Sequence, residues 1–176
     1  MNGKNVTKSP WLLHYDGSSC NGSDIEVLAC TCPRFDVERF GIINTGDPMH
    51  ADIFLVTGGV NTQNAPIIKQ IYSQIPEPKV VVAVGICACT GGIFKECYNI
   101  LGGVDTVIPV DIYVPGCAAR PESIIDGVVK ALKEIGYDGY FTLEADAYLA
   151  TVDDKLAGIK ALADSARRLA DMFDAL

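Results

Sequence analysis

Three of the seven cysteines in this 176-residue chain share a setting suited to binding an inorganic centre. Cys20 precedes Asn21-Gly22, Cys87 lies among Gly85, Gly91 and Gly92, and Cys117 follows Pro115-Gly116. Glycine lets the backbone come close to a bulky group and take a positive φ without steric cost. Thiolates gathered this way are the donor set of iron–sulfur clusters, which normally use four, with hydrogen bonds and burial tuning the potential. Zinc stays open on the residues alone, although zinc sites usually show two close ligand pairs, which this spread lacks. Any one cysteine taken singly reads as a small buried hydrophobe. The shared glycine context sets these three apart from Cys30, Cys32 and Cys97, while Cys89 sits in the same glycine-rich loop as Cys87.

The elements that must position them alternate along the chain. Residues 1–19 read as polar and turn-rich. Asp24 to about Cys30 then carries a short helical pattern closed by Cys32-Pro33. Asp52–Thr57 reads as a buried strand ending in Gly58-Gly59, and Asn64-Ala65-Pro66 opens a helix that Ile75-Pro76 ends. Val80–Val84 is a second buried strand running into the Cys87 loop. A third strand, over Asp105–Val110, is expected to lead to Cys117. Pro121 starts a helix with Ile124, Ile125, Val128, Val129 and Leu132 on one face, which Gly136 stops. This alternation predicts an α/β fold, an open parallel sheet flanked by helices. Loops at the carboxyl ends of such strands line the ligand crevice, so Cys87 and Cys117 should meet at one sheet edge. Residues 1–140 form the expected cluster-binding domain. The amphipathic pattern of Leu156, Ile159, Leu162, Ala166, Leu169 and Phe173 predicts a C-terminal helical extension over 141–176, packed on the domain or against a partner.

Composition removes several classes of function. A formal charge of −8 argues against nucleic acid, which needs a basic face. The first twenty residues show no apolar core behind a basic start, and no apolar run reaches the ~20 residues needed to span a bilayer. The chain is therefore expected on the cytosolic side, where seven cysteines point to metal, redox chemistry or burial rather than disulfides.

The words around the three cysteines carry a resemblance. Ser19-Cys20-Asn21-Gly22-Ser23-Asp24-Ile25-Glu26, Pro33-Arg34-Phe35-Asp36-Val37-Glu38-Arg39-Phe40-Gly41-Ile42, Val84-Gly85-Ile86-Cys87-Ala88 and Val110–Cys117 resemble the small subunit of group 4 nickel–iron hydrogenases. That family includes the energy-converting, Ech-type membrane enzymes and is related to the cluster-bearing 20 kDa subunit of respiratory complex I. The resemblance covers about residues 11–135. It implies a flavodoxin-like fold and one 4Fe–4S cluster relaying electrons between a nickel–iron site in a partner large subunit and a ferredoxin-like iron–sulfur subunit. It also implies that the chain lies peripherally on the inner face of the cell membrane, through membrane subunits of the same complex. The four cluster positions it implies are 20, 23, 87 and 117.

Position 23 departs from the family, which has cysteine where this chain has Ser23. Ser23 could bind iron as an alkoxide, water or a partner residue could fill the gap, or the site could hold a three-iron cluster. A spare cysteine, Cys32 or Cys89 before the others, could substitute, or the cluster could be lost. A milder departure follows Cys117, where Ala118-Ala119 replaces the family's two prolines. Glu26 falls where the family places an acidic residue near the cluster, as a proton relay or as a capping or pairing carboxylate. Asp111 is expected to fix the cluster loop by accepting backbone amides, and Arg120 to pair with Glu122 or a sulfide. His14 and His50 are isolated in sequence and carry no assigned role, and Cys97 is expected in the core. Two rivals stand beside the hydrogenase reading: a complex I-like quinone or sulfur reductase, and a cluster-free scaffold subunit.

Overall fold

The computed structural model describes residues 9–136 and five later positions, Lys160, Ala163, Asp164, Arg167 and Asp171. Five strands form one sheet: β1 (Trp11–Asp16), β2 (Ile43–Asn44), β3 (Ile53–Thr57), β5 (Val80–Val84) and β7 (Ile112–Val114). Their order is β2-β1-β3-β5-β7 and every pairing is parallel. Numbered among themselves these strands run 2-1-3-4-5, the flavodoxin-like order, and the expected fold class is borne out. β4 (Val60–Asn61) and β6 (Ile100–Gly102) make a small antiparallel pair beside the main sheet.

The apolar runs explain the layers. β3 and β5 are buried along their whole length, as central strands of a parallel sheet must be. Ile53 and Leu55 face one side with Val82 and Val84, where helices α1 (Gly22–Cys30) and α4 (Pro121–Glu134) contribute Val27, Ile124, Val128 and Leu132. Phe54 and Val56 face the other side with Val81 and Ala83, covered by α2 (Ala65–Gln74) and the short α3 (Ile86–Thr90) through Ile68 and Ala88.

Two expectations need correction. Residues 11–16, read as part of a turn-rich segment, form the inner strand β1. Leu12 and Leu13 are buried there while His14 and Tyr15 are half-buried, so polar residues broke the apolar pattern that marks a strand. The third strand is shorter and later than expected. Val104–Thr106 is a turn of 3-10 helix, and Pro109 has no N–H to give a ladder. Pairing starts where Asp111 N–H donates to Val81 O (3.0 Å) and runs through Ile112–Val114. The helical extension expected over 141–176 lies outside the described residues except for single helical positions, where Arg167 Nη1 meets Asp164 Oδ1 at 2.8 Å.

Candidate functional site

The sheet register lines up the four strand ends that matter. Asp16 pairs with Thr57, Thr57 with Val84 and Val84 with Val114, so the chain leaves β1, β3, β5 and β7 along one level edge. A small pocket sits on that edge and is lined by Cys20, Ser23, Cys87 and Cys117. All four positions drawn from the sequence therefore share one pocket. Ser19, Gly22, Gly58, Ile86, Gly116 and Ala118 complete its wall.

Close backbone packing holds these loops together. Gly85 N–H donates to Val114 O and Ile86 N–H to Gly116 O, both at 2.8 Å, which ties the Cys87 loop to the Cys117 loop. Gly58 has φ +79°, and a Cβ there would stand 2.7 Å from Ser18 N, so only glycine lets β3 end against the Cys20 loop. Ser18 Oγ donates to Gly59 O (2.8 Å), and the buried Asn64 side chain donates to the same carbonyl (3.1 Å). Gly85, with φ +85°, lies so close to Ser23 that an added Cβ would overlap Ser23 Oγ. Sequence reading treated Gly58 only as a strand end. Its role comes from a neighbour nearly forty positions away, at Ser18–Ser19, which no local pattern records.

The electrostatics agree with three thiols sharing one space. Burial pushes the Cys87 thiol up, and the nearby Cys117 and Cys20 sulfurs push it the same way. Among the described residues, no group of three or more histidine, cysteine or acidic side chains is gathered tightly enough for a single metal ion. Each thiolate of a cubane binds a different iron, so a cluster asks for a wider spacing than a lone zinc does. The donor set and the glycine-walled cradle thus fit a cluster, with a hydroxyl at one corner.

Residues 20–131 match the family described as NADH ubiquinone oxidoreductase, 20 Kd subunit. The chain belongs to that family. A probable membrane-bound hydrogenase subunit from Pyrococcus furiosus is 48% identical over 132 residues, covering 75% of this chain and 79% of the relative. An NADH-quinone oxidoreductase subunit from Geotalea daltonii is 45% identical over 128 residues, 73% of each chain. A structure of an archaeal membrane-bound sulfane sulfur reductase superposes with a TM-score of 0.66 at 33% identity, over 93% of this chain and 87% of the other. An NAD⁺-reducing nickel–iron hydrogenase shares the fold at 18% identity, with a TM-score of 0.57 over 79% of this chain and 100% of the other.

Against the family's pattern, the remaining polar residues divide. Glu26 does not line the pocket. Its carboxylate makes no hydrogen bond or ion pair among the described residues, and its charge helps raise the Cys30 thiol. Asp111 does accept a backbone amide, but from Val81 at the start of β5 (2.8 Å), so it pins the opposite end of the sheet from the cysteine loops. Arg120 is the N-cap residue of α4 and pairs with no described carboxylate. Cys97, expected in the core, is exposed in a turn.

His14, which looks isolated in sequence, is not isolated in space. Its Nε2 lies 3.2 Å from Asp24 Oδ1 and 3.1 Å from Thr57 Oγ1, directly beneath the pocket edge. Burial lowers its pKa and outweighs the upward pull of Asp24 and Asp16. The sign follows from proton binding. Below the ordinary histidine range the unfolded chain takes up a proton that folded His14 resists, so stability falls as pH drops from that range toward the lowered value. Thermal melting should therefore decline more steeply on acidification in the wild type than in His14→Gln. Equal slopes in the two proteins would remove His14 from the balance.

Proposed function

We propose that this chain is the electron-relay subunit of a membrane-associated, complex I-like assembly of the nickel–iron hydrogenase type. It holds one 4Fe–4S cluster through Cys20, Cys87 and Cys117, with Ser23 at the fourth corner. The observation that carries this reading is the convergence of all four positions at one sheet edge, inside a glycine-walled pocket. A bound cluster supplies one-electron transfer. The protein's part is to hold the thiolates in place, keep the loops rigid through the Gly85–Val114 and Ile86–Gly116 hydrogen bonds, and present the site to a partner.

A partner surface lies beside the pocket. Ile93 is 88% and Tyr98 100% exposed, with Phe94 and Leu101 also exposed, and a Cβ on the neighbouring Gly92 would stand 3.2 Å from Cys87 Sγ. An apolar group of this kind next to the site suits docking by the large catalytic subunit. Ile93→Asp with Tyr98→Asp should lower recovery of that subunit on the tagged chain about tenfold or more, while melting temperature stays within a few degrees. Unchanged recovery would move the docking face elsewhere. No helix among the described residues is long and apolar enough to cross a membrane. The likeness to subunits of membrane-bound complexes supports membrane association through partner subunits.

The likeness to the sulfane sulfur reductase favours a second reading, in which the same relay serves sulfur reduction. Both readings are tested on the anaerobically purified complex. Iron and sulfide content with low-temperature electron paramagnetic resonance reads the cluster, and hydrogen evolution against polysulfide reduction separates the two assemblies. Absence of iron assignable to this subunit would favour a scaffold role.

A further inference from the structure

We propose that the Ser23 oxygen is itself the fourth donor, so that one iron of the cluster is bound through oxygen and the other three through sulfur. The inference rests on the cluster reading above and concerns only its fourth corner.

The first support is where the spare thiols lie. Cys30 is 3% exposed between α1 and α4, with its Sγ on Glu26 O (3.2 Å) and Pro121 O (3.7 Å). Cys89 is 7% exposed on the opposite face of the sheet, with its Sγ on Ala83 O (3.5 Å). Burial pushes the Cys30 thiol up to about 11. Cys32 lies beyond the far end of α1, a nine-residue helix about 13 Å long, with its Sγ toward Leu28 O. Cys97 is exposed in a turn, and none of the four lines the pocket.

The second support is Ser23 itself. Its hydroxyl lines the pocket and has no hydrogen-bond partner among the described residues, although it stands at the second position of α1, close to where a serine side chain commonly caps. Gly85 packs closely against it, since a Cβ there would overlap the oxygen. The group is thus held at the pocket wall with its lone pairs unused. A bound metal cation lowers the pKa of a coordinated hydroxyl strongly, so the iron–oxygen bond forms as the serine O–H passes its proton to solvent. Oxygen is a harder donor than sulfur and favours the more oxidised iron, which lowers the potential relative to a four-thiolate site.

The test uses the full chain, purified anaerobically and loaded with ferrous iron and sulfide, as wild type, Ser23→Ala and Ser23→Cys. About four irons per chain are expected in the wild type and in Ser23→Cys. The midpoint potential should be higher in Ser23→Cys. Ser23→Ala should drop to about three irons, with an oxidised three-iron resonance, or lose the cluster, while circular dichroism stays native. Wild-type iron content and spectrum in Ser23→Ala would overturn the assignment in favour of solvent or a partner group. A potential and spectrum unchanged in Ser23→Cys would overturn it as well. Failure of all three proteins to take up iron would instead count against the cluster reading.

Discussion

Cys87→Ala and Cys117→Ala should each abolish the bound cluster and the complex's redox turnover while the subunit stays folded. Both side chains lie on the pocket edge outside the two buried clusters that hold the sheet to its helices. Cys117 is exposed and Cys87 half-buried, so truncation removes little packed area and should cost less than about 1 kcal/mol of apolar burial. On the proposed ligand set the chemical loss is much larger, because three thiols and one hydroxyl leave no reserve. A Cys30→Ala control inverts the pattern: it removes buried atoms from the α1–α4 contact, lowering stability by about 1 kcal/mol and leaving the cluster in place. Iron content, turnover and thermal melting of the three variants check the assignment together. Normal cluster content in Cys87→Ala or Cys117→Ala would sink it.

Gly85→Val should harm both the fold and the site. At φ +85° a branched residue stores about 1–3 kcal/mol of backbone strain. Its Cβ would also overlap Ser23 Oγ and stand 3.2 Å from Ser23 Cβ, so the Ser23 hydroxyl must turn out of its place and its backbone or the Gly85 loop give slightly; the Val114 and Gly116 hydrogen bonds stand in that loop. Gly136 supplies the comparison. It has φ +72° and nothing within 4 Å of an added Cβ, so Gly136→Val carries the strain without the collision. Urea unfolding should show both variants destabilised, with cluster content falling only in Gly85→Val. Equal cluster content in the two would show that contact between Gly85 and Ser23 does not shape the pocket.

Much of this architecture was legible in the chain itself, for reasons that differ by element. β3 and β5 announced themselves because a parallel sheet buries both faces of its central strands, leaving continuous apolar runs such as Val80–Val84. α2 and α4 were bracketed by Pro66, Pro76, Pro121 and Gly136, which act locally and so read locally. β1 escaped because His14 and Asp16 interrupt its pattern, and the partner that makes His14 tolerable, Asp24, lies on another element. β7 was misplaced because Val107, Ile108 and Val110 are apolar for packing beneath the sheet rather than for pairing within it. The pocket's cysteines could be seen from their glycines, whereas the role of Gly58 could not, since it concerns backbone brought in from the loop after β1. Cys97 looked like core only because a cysteine usually is.

The level edge formed by Asp16, Thr57, Val84 and Val114 also sets a schedule for biogenesis. Cys20 leaves the ribosome early, but its neighbours across the edge arrive only after β3, β5 and finally β7 have docked in turn. Such a sheet closes late, because its contacts join segments far apart along the chain. A half-made chain therefore displays lone thiols with no cavity around them, and iron delivered then would meet a single loose donor. On the proposed cluster reading, the pocket that would receive the cluster is complete only after the last strand of the sheet has been translated.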